Sequence, residues 1–251
     1  MTRWLSLWLF IALGFAAAAE EIVMGLSQDE VAITASFDGS DILIFGAVKR
    51  TVASEPLPPL GVVITVSGPR TPVIVRHKER RFGIWVNTSF VEVDAAPSFY
   101  AVASSAPLSE VLSETENLRH SVTLNRAIRS IGAEVDNTAD YTEALIRIRS
   151  NDDLYKVAEG AIDFDEETLF RTSISLPANL VEGNYATRIF LTREGAIVDR
   201  YDTVIAVQKV GVERWLFNLS REQPAVYGGL SLLLAIAAGW AASAGFAAFR
   251  R

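Results

Sequence analysis

The chain has 251 residues, 50% of them hydrophobic, with 23 Lys plus Arg against 30 Asp plus Glu. Three cations (Arg3, Arg250 and Arg251) and none of the acids lie outside residues 20–222, so that stretch holds 20 cations against 30 acids; a charge of −10 there excludes a basic nucleic-acid-binding surface. The absence of cysteine excludes thiol catalysis, CxxC redox chemistry, cysteine metal sites and disulfides, so a body of about 200 residues must be held by packing alone.

At the N terminus, Arg3, the apolar run Trp4 to Phe15 and the small residues Ala17, Ala18 and Ala19 have the three-part pattern of a secretory signal peptide, predicting cleavage before Glu20. The run is too short to span a bilayer. An N-terminal β-sandwich-like domain is expected over residues 20–105. Its first elements are read as a hairpin, Val31 to Phe37 against Ile42 to Val48 around the turn Asp38 to Asp41. Strands are then expected at Gly61 to Val66, Pro72 to Arg76, Phe82 to Val86, Phe90 to Val93 and Phe99 to Ala103, set apart by Gly, Pro, Asn and Asp.

The period changes over residues 106–160, a helical segment. Pro107 opens a turn reaching Leu112; Leu124, Ile128 and Ile131 recur at helical spacing up to Gly132; and Asp140 is placed to cap a second helix with Glu143 at N3 and an apolar stripe of Tyr141, Ala144, Leu145 and Ile148. Strands resume over 161–211 at Leu169 to Leu176, Tyr185 to Thr192 and Ile197 to Val207, with Arg193 to Ala196 as a turn. Tyr185 follows Gly183 in the manner of the tyrosine corner of immunoglobulin-like sandwiches, a structural device in which the hydroxyl ties back to a nearby backbone group. A juxtamembrane stretch, 212–224, holds Trp215 and Phe217 as an aromatic belt. From Ala225 to Phe249 no residue is charged or carries an amide side chain, a run long enough to cross the roughly 30 Å hydrocarbon core as one helix. Arg250 and Arg251 then read as a cytoplasmic tail under the positive-inside rule, with residues 20–224 outside. Within the span, Ala235, Gly239 and Ser243 share a face on which another helix, from a partner or a second copy, can approach closely.

The predicted fold class is therefore mainly β: an immunoglobulin-like β-sandwich ectodomain with a small helical insertion and a single C-terminal transmembrane helix.

The strings GLSQDEVAI (25–33), ILIFGAVKR (42–50), RHKERRFGIWVN (76–87), PSFYAVAS (97–104) and LFRTSISLPANLVEGNY (169–185), with Tyr227, Gly239 and Trp240 in the span, resemble the Alph_Pro_TM family of alphaproteobacterial transmembrane proteins. The resemblance implies an exported single-pass protein of the inner membrane with its body in the periplasm, acting beside a partner such as a sulfite-exporter-like permease. It carries over no catalytic residue and no cofactor.

Chemistry is sparse in the residues. His77 and His120 sit in no HExxH or HxH pattern, and neither a GxSxG elbow, a P-loop nor a GxGxxG fingerprint occurs. Asp152 with Asp153, and Asp163 with Asp165 and Glu166, lack the spacing of a calcium loop and read as exposed turns. No metal or cofactor and no enzymatic activity is expected. The candidate binding site is Arg76, Lys78, Arg80 and Arg81 with Trp85. On a strand the first three cations share one face, suited to an anion, an envelope polymer or an acidic protein surface; a charge-guarded strand edge is the structural alternative. Beyond them Phe82, Ile84 and Val86 alternate with Gly83, Trp85 and Asn87, and one of these two faces is expected to be core. An exposed Trp85 would favour an interaction site, a buried one scaffolding. The residues thus favour an accessory protein working through contacts, with an anion- or polymer-binding module as the alternative.

Overall fold

A computed structural model describes residues 20–34, 37–50, 58–129, 138–165, 168–210 and 212–249. The expected leader and the closing Arg250 and Arg251 lie outside the described residues. The strands are β1 (Glu20–Leu26), β2 (Glu30–Ile33), β3 (Ser40–Arg50), β4 (Leu60–Ser67), β5 (Arg70–Arg81), β6 (Ile84–Pro97) and β7 (Tyr100–Ser104). Helices α1 (Leu108–Val111), α2 (Glu114–His120), α3 (Leu124–Ala127) and α4 (Thr138–Asn151) follow, then β8 (Tyr155–Ala158), β9 (Asp163–Asp165), β10 (Leu169–Leu176), β11 (Gly183–Arg193), β12 (Ala196–Lys209), α5 (Val212–Glu222) and α6 (Pro224–Phe249). The protein is mainly β with one C-terminal apolar helix.

Two sheets share one apolar core. The first is antiparallel in the order β1-β3-β10-β9, and the second runs β2-β12-β11-β4-β7-β8 with β2 and β8 parallel to their neighbours. Each sheet draws strands from both sides of the helical segment. Those two parallel pairs are not an immunoglobulin signature, and the strand order supports a mainly β architecture without that narrower likeness.

The expected first hairpin does not form. β2 aligns in parallel with β12, Val31 facing Val207, while β3 lies between β1 and β10, its Gly46 opposite Met24 and Phe170. The physical reason is length: β3 turns Ile42, Ile44, Gly46 and Val48 inward, and β1 and β10 accompany it along most of its course, whereas β2 has only 4 residues. The expected turn is also shorter than Asp38 to Asp41, because Ser40 and Asp41 already belong to β3 and pair with Leu176 and Ser175. The C-terminal strands follow their sequence pattern closely. In β10 the residues Phe170, Thr172, Ile174 and Leu176 are buried and those between them exposed, and the β11–β12 turn holds Glu194 and Gly195 at positive φ.

β4 is buried at every residue because the second sheet is covered on both faces. One face joins the shared core. Against the other lie the short helices, close enough that a Cβ on Gly61 would stand 2.8 Å from Val111 of α1. Here the helical expectations need correction. α2 is an additional helix whose short polar sequence has no apolar period; it forms with Ser113 as N-cap, the hydroxyl accepting from Glu116 N, and Ser121 in the left-handed conformation at its end. α3 ends at Ala127 with Ile128 extended, and Ile131 and Gly132 lie outside the described residues. Asp140 is inside the first turn of α4, where its charge suits the helix dipole, rather than capping it. Leu145 is buried as expected, but Ile148 is exposed and Ile146 packs on the core instead.

The covering layer is fastened by Arg188. Its guanidinium donates to the backbone carbonyl of His120 (2.7 Å) and that of Ser121 (3.3 Å), to Thr65 Oγ1 (3.1 Å) and to the Tyr100 hydroxyl (3.2 Å), and it lies 5.4 Å from the centre of the Phe190 ring. A cation at the C-terminal carbonyls of α2 meets the negative end of that helix. Tyr100 adds a 2.8 Å bond to Val122 O, and burial pushes its hydroxyl pKa up, with Arg188 partly opposing that rise. Tyr155 bonds Pro97 O at 2.8 Å, and burial pushes its pKa up to about 12. The Tyr185 hydroxyl donates to Val181 O at 2.8 Å, the corner-like tie read from the sequence.

α5 and α6 follow β12. Trp215 and Phe217 are exposed, and the Arg221 guanidinium sits over the Phe217 ring at 5.2 Å. Gln223 N bonds Leu219 O and Tyr227 N bonds Gln223 O, so the hydrogen-bond ladder continues across the junction, with Pro224 at the first position of α6, where its missing N–H costs least. Pro224–Gly245 is long and apolar enough to cross a membrane, and none of its most apolar window is buried in the protein.

Replacing Arg188 removes a cation that answers several buried acceptors at once. Arg188→Ala is expected to destabilise the full chain by about 3 kcal/mol. Arg76→Ala, on the exposed hairpin, is expected to change stability by less than about 0.5 kcal/mol. Chemical denaturation in detergent measures both.

Candidate functional site

β5 and β6 form a two-stranded hairpin outside both sheets. Eleven steps at about 3.4 Å give this arm a length of roughly 37 Å. Its root is built to pack: the β-branched Val75, Val91 and Val93 are buried, Ala96 with them, and Ser89 Oγ meets the Tyr141 hydroxyl of α4 at 2.6 Å. Beyond Ser89 and Arg76 the arm is exposed on both faces.

The expectation that one face of residues 82–87 is core is therefore wrong. Phe82, Ile84 and Trp85 are all well exposed, with Trp85 at 69%, because α4 covers only the root and the tip extends past it. Phe82 is moreover in the turn and not in a strand. With φ of 50° at Phe82 and 83° at Gly83, the two-residue connection has the positive-φ pattern of a type I′ turn. Glycine answers that demand at the second position. At the first, Asn or Asp is the usual choice, and a bulky aromatic there costs on the order of 1 kcal/mol. A strained aromatic with no packing partner among the described residues, at the apex of an arm, asks for a function.

The register decides which candidate residues meet. Residues directly opposite on antiparallel strands share a face, so Arg80 stands beside Trp85 and Arg76 beside Phe90. Arg76, Lys78 and Arg80 form the predicted row on that face, despite a register shift between His77 and Lys78 that increases the local twist. Arg81 departs from it: it is opposite Ile84 on the other face, with its guanidinium 3.2 Å from Glu79. From Arg76 to Phe90 the arm carries four cations and one acid, Glu79, on a body that is acidic as a whole. The site residue that sequence reasoning missed is Phe82, which it assigned to a strand. The signal was available in the spacing, since the adjacent Gly83 sits midway between two alternating runs.

The remaining candidates are dispersed. His77 is exposed on the arm, as expected of an outward strand residue. His120 Nε2 is 3.4 Å from Glu116 Oε2 and its ring packs on Phe190, which makes it part of the covering layer. Asp163 pairs with Arg171 Nε at 3.2 Å, and Asp152 and Asp153 are exposed in the turn after α4. Ala235, Gly239 and Ser243 line an exposed face of α6, and a Cβ added at Gly239 would meet nothing within 4 Å.

The arm's tip and root should separate in mutagenesis. Phe82→Asn relieves the turn and is expected to raise stability by about 0.5–1 kcal/mol, whereas Val93→Ala in the root is expected to lower it by about 1–3 kcal/mol. Thermal melts of the two variants test this; a loss of stability in Phe82→Asn would show that the ring has a packing role.

No curated protein matches the chain. The family described as Putative transmembrane protein (Alph_Pro_TM) matches residues 21–250, a stretch that takes in both sheets, the arm and α6. The chain belongs to that transmembrane protein family.

Proposed function

We propose that the protein is a membrane-anchored accessory protein that works by contact and not by catalysis, with its body in the periplasm, its span in the inner membrane and the arm as its contact element. The observation that carries this reading is the apex of the arm: a strained, unpacked Phe82 flanked by Ile84, Trp85 and four cations. Aromatic residues with arginine are the composition of recognition surfaces, and the strain is sensible only where contact offsets it. The resemblance noted in the sequence points to an integral membrane partner such as a sulfite-exporter-like permease. The open small-residue face of α6 suits close approach of a partner helix or of a second copy. A second reading, binding of an anion or an acidic envelope polymer, is favoured by the row of Arg76, Lys78 and Arg80 but leaves the aromatic apex without a use.

Affinity purification of the intact protein from solubilised membranes tests the proposal, alongside a triple Arg76→Ala, Lys78→Ala, Arg80→Ala variant and a double Phe82→Asn, Trp85→Ala variant. A stoichiometric membrane protein is expected with the intact chain, reduced at least about tenfold in both variants, since each removes about 1.4 kcal/mol or more of contact energy. Equal recovery with all three would show that the arm does not hold a protein partner. Binding of sulfate or glycan by the intact chain, with no accompanying protein, would establish the second reading.

A further inference from the structure

The position of the arm's root narrows what the tip meets. In the second sheet Ser67 at the end of β4 is opposite Ala186 and Tyr100, and Gly183 at the start of β11 is opposite Val207 near the end of β12. The arm leaves the sheet after Ser67 and returns at Tyr100, while the chain leaves for α5 and the span after Lys209. Both departures are thus at one end of the sheet, and the Glu194–Gly195 turn is at the other. At the tip Arg80 stands beside Trp85 on one face, which also carries Arg76 and Lys78, while Arg81, paired with Glu79, stands beside Ile84 on the other, and Phe82 is at the apex. A protein partner is ordinarily recognised by one face of a hairpin. An apolar apex reached from both strands, with Arg80 and Arg81 immediately behind it, suits a plane entered tip first, with aromatic rings at the headgroup level and guanidinium groups on phosphates.

Resting on the reading of the arm as contact element, we propose that the tip binds the anionic phospholipid surface of the membrane that holds α6, with Phe82, Ile84 and Trp85 entering the headgroup boundary and Arg76, Lys78, Arg80 and Arg81 pairing with lipid phosphates. The acidic body is repelled by such a surface, so the arm supplies the attraction that keeps this end of the body turned toward it. Each cation near an anionic surface strengthens binding by about fivefold, and the effect is screened by salt.

The absence of cysteine makes the test direct, since Phe82→Cys introduces a single thiol for an environment-sensitive fluorophore. The full-length protein is placed in nanodiscs of phosphatidylcholine with or without 30% phosphatidylglycerol, both carrying brominated acyl chains as quencher, and a Glu194→Cys label serves as the distal control. Quenching at position 82 is expected to exceed that at 194 several-fold with phosphatidylglycerol. It is expected to fall to the control level in phosphatidylcholine alone, in 0.5 M salt, or when the four cations are replaced by alanine. Equal quenching at the two positions in every lipid overturns the inference, as does quenching at 82 that ignores both lipid charge and salt. If quenching fails while the arm variants still lose a co-purifying membrane protein, the tip meets protein and not lipid, and the arm remains the contact element. If both fail, the arm is not a contact surface.

Discussion

The antiparallel register of β12, β11 and β4 is the constraint on which the remaining architecture depends. It fixes which end of the second sheet releases the arm and which releases the chain toward its span, and it makes them the same end. It also brings Thr65, Arg188 and Phe190 onto one surface, where α2 is fastened through its terminal carbonyls. With no disulfide available, this register is held by side-chain burial on both faces of β4 and by the charge-assisted bonds of Arg188. Shifting β11 by one residue would turn Arg188 into the apolar core and release the helical layer.

That arrangement separates a packed body from an appendage whose outer half is free of packing duties. The root valines and the Ser89–Tyr141 bond stabilise the arm to about its midpoint, and beyond it side chains are free to be chosen for what they contact. Phe82 illustrates the trade: its φ favours Asn or Gly, its exposure gains nothing from folding, and it is nonetheless an aromatic. Glu194 takes the same conformation in the β11–β12 turn, but as a polar residue suited to solvent, so it is the exposed aromatic at Phe82 that marks where function is to be sought.

The pattern of what could be read in advance follows the range of the forces involved. β10 alternates because one face is buried, and period two shows that directly, while in β11 burial becomes continuous from Ile189 to Thr192, where both faces are covered and the apolar run itself is the signal. The span is visible because lipid imposes a composition on the whole segment. Partner choice is a long-range property, so the parallel pairing of β2 with β12 across residues 30–209 left no local mark, and neighbouring β3 was the natural but mistaken partner. α2 is too short and polar to show a period, being held by its caps and by Arg188. At the candidate site, the cation row and the significance of Trp85 exposure were legible from alternation alone. The exposed tip was not, because an apolar alternating strand usually signals a core, and only the end of α4 reveals that no described residue covers it.

The central claim, that arm tip and span belong to one end of the molecule, is tested most directly by pulsed electron spin resonance on pairs of spin labels introduced into the cysteine-free full-length chain in nanodiscs. One pair joins Phe82→Cys with Gln223→Cys, and the other joins Glu194→Cys with Gln223→Cys. The first distance is expected to be the shorter. A first distance equal to or longer than the second would place the tip away from the bilayer and contradict the claim.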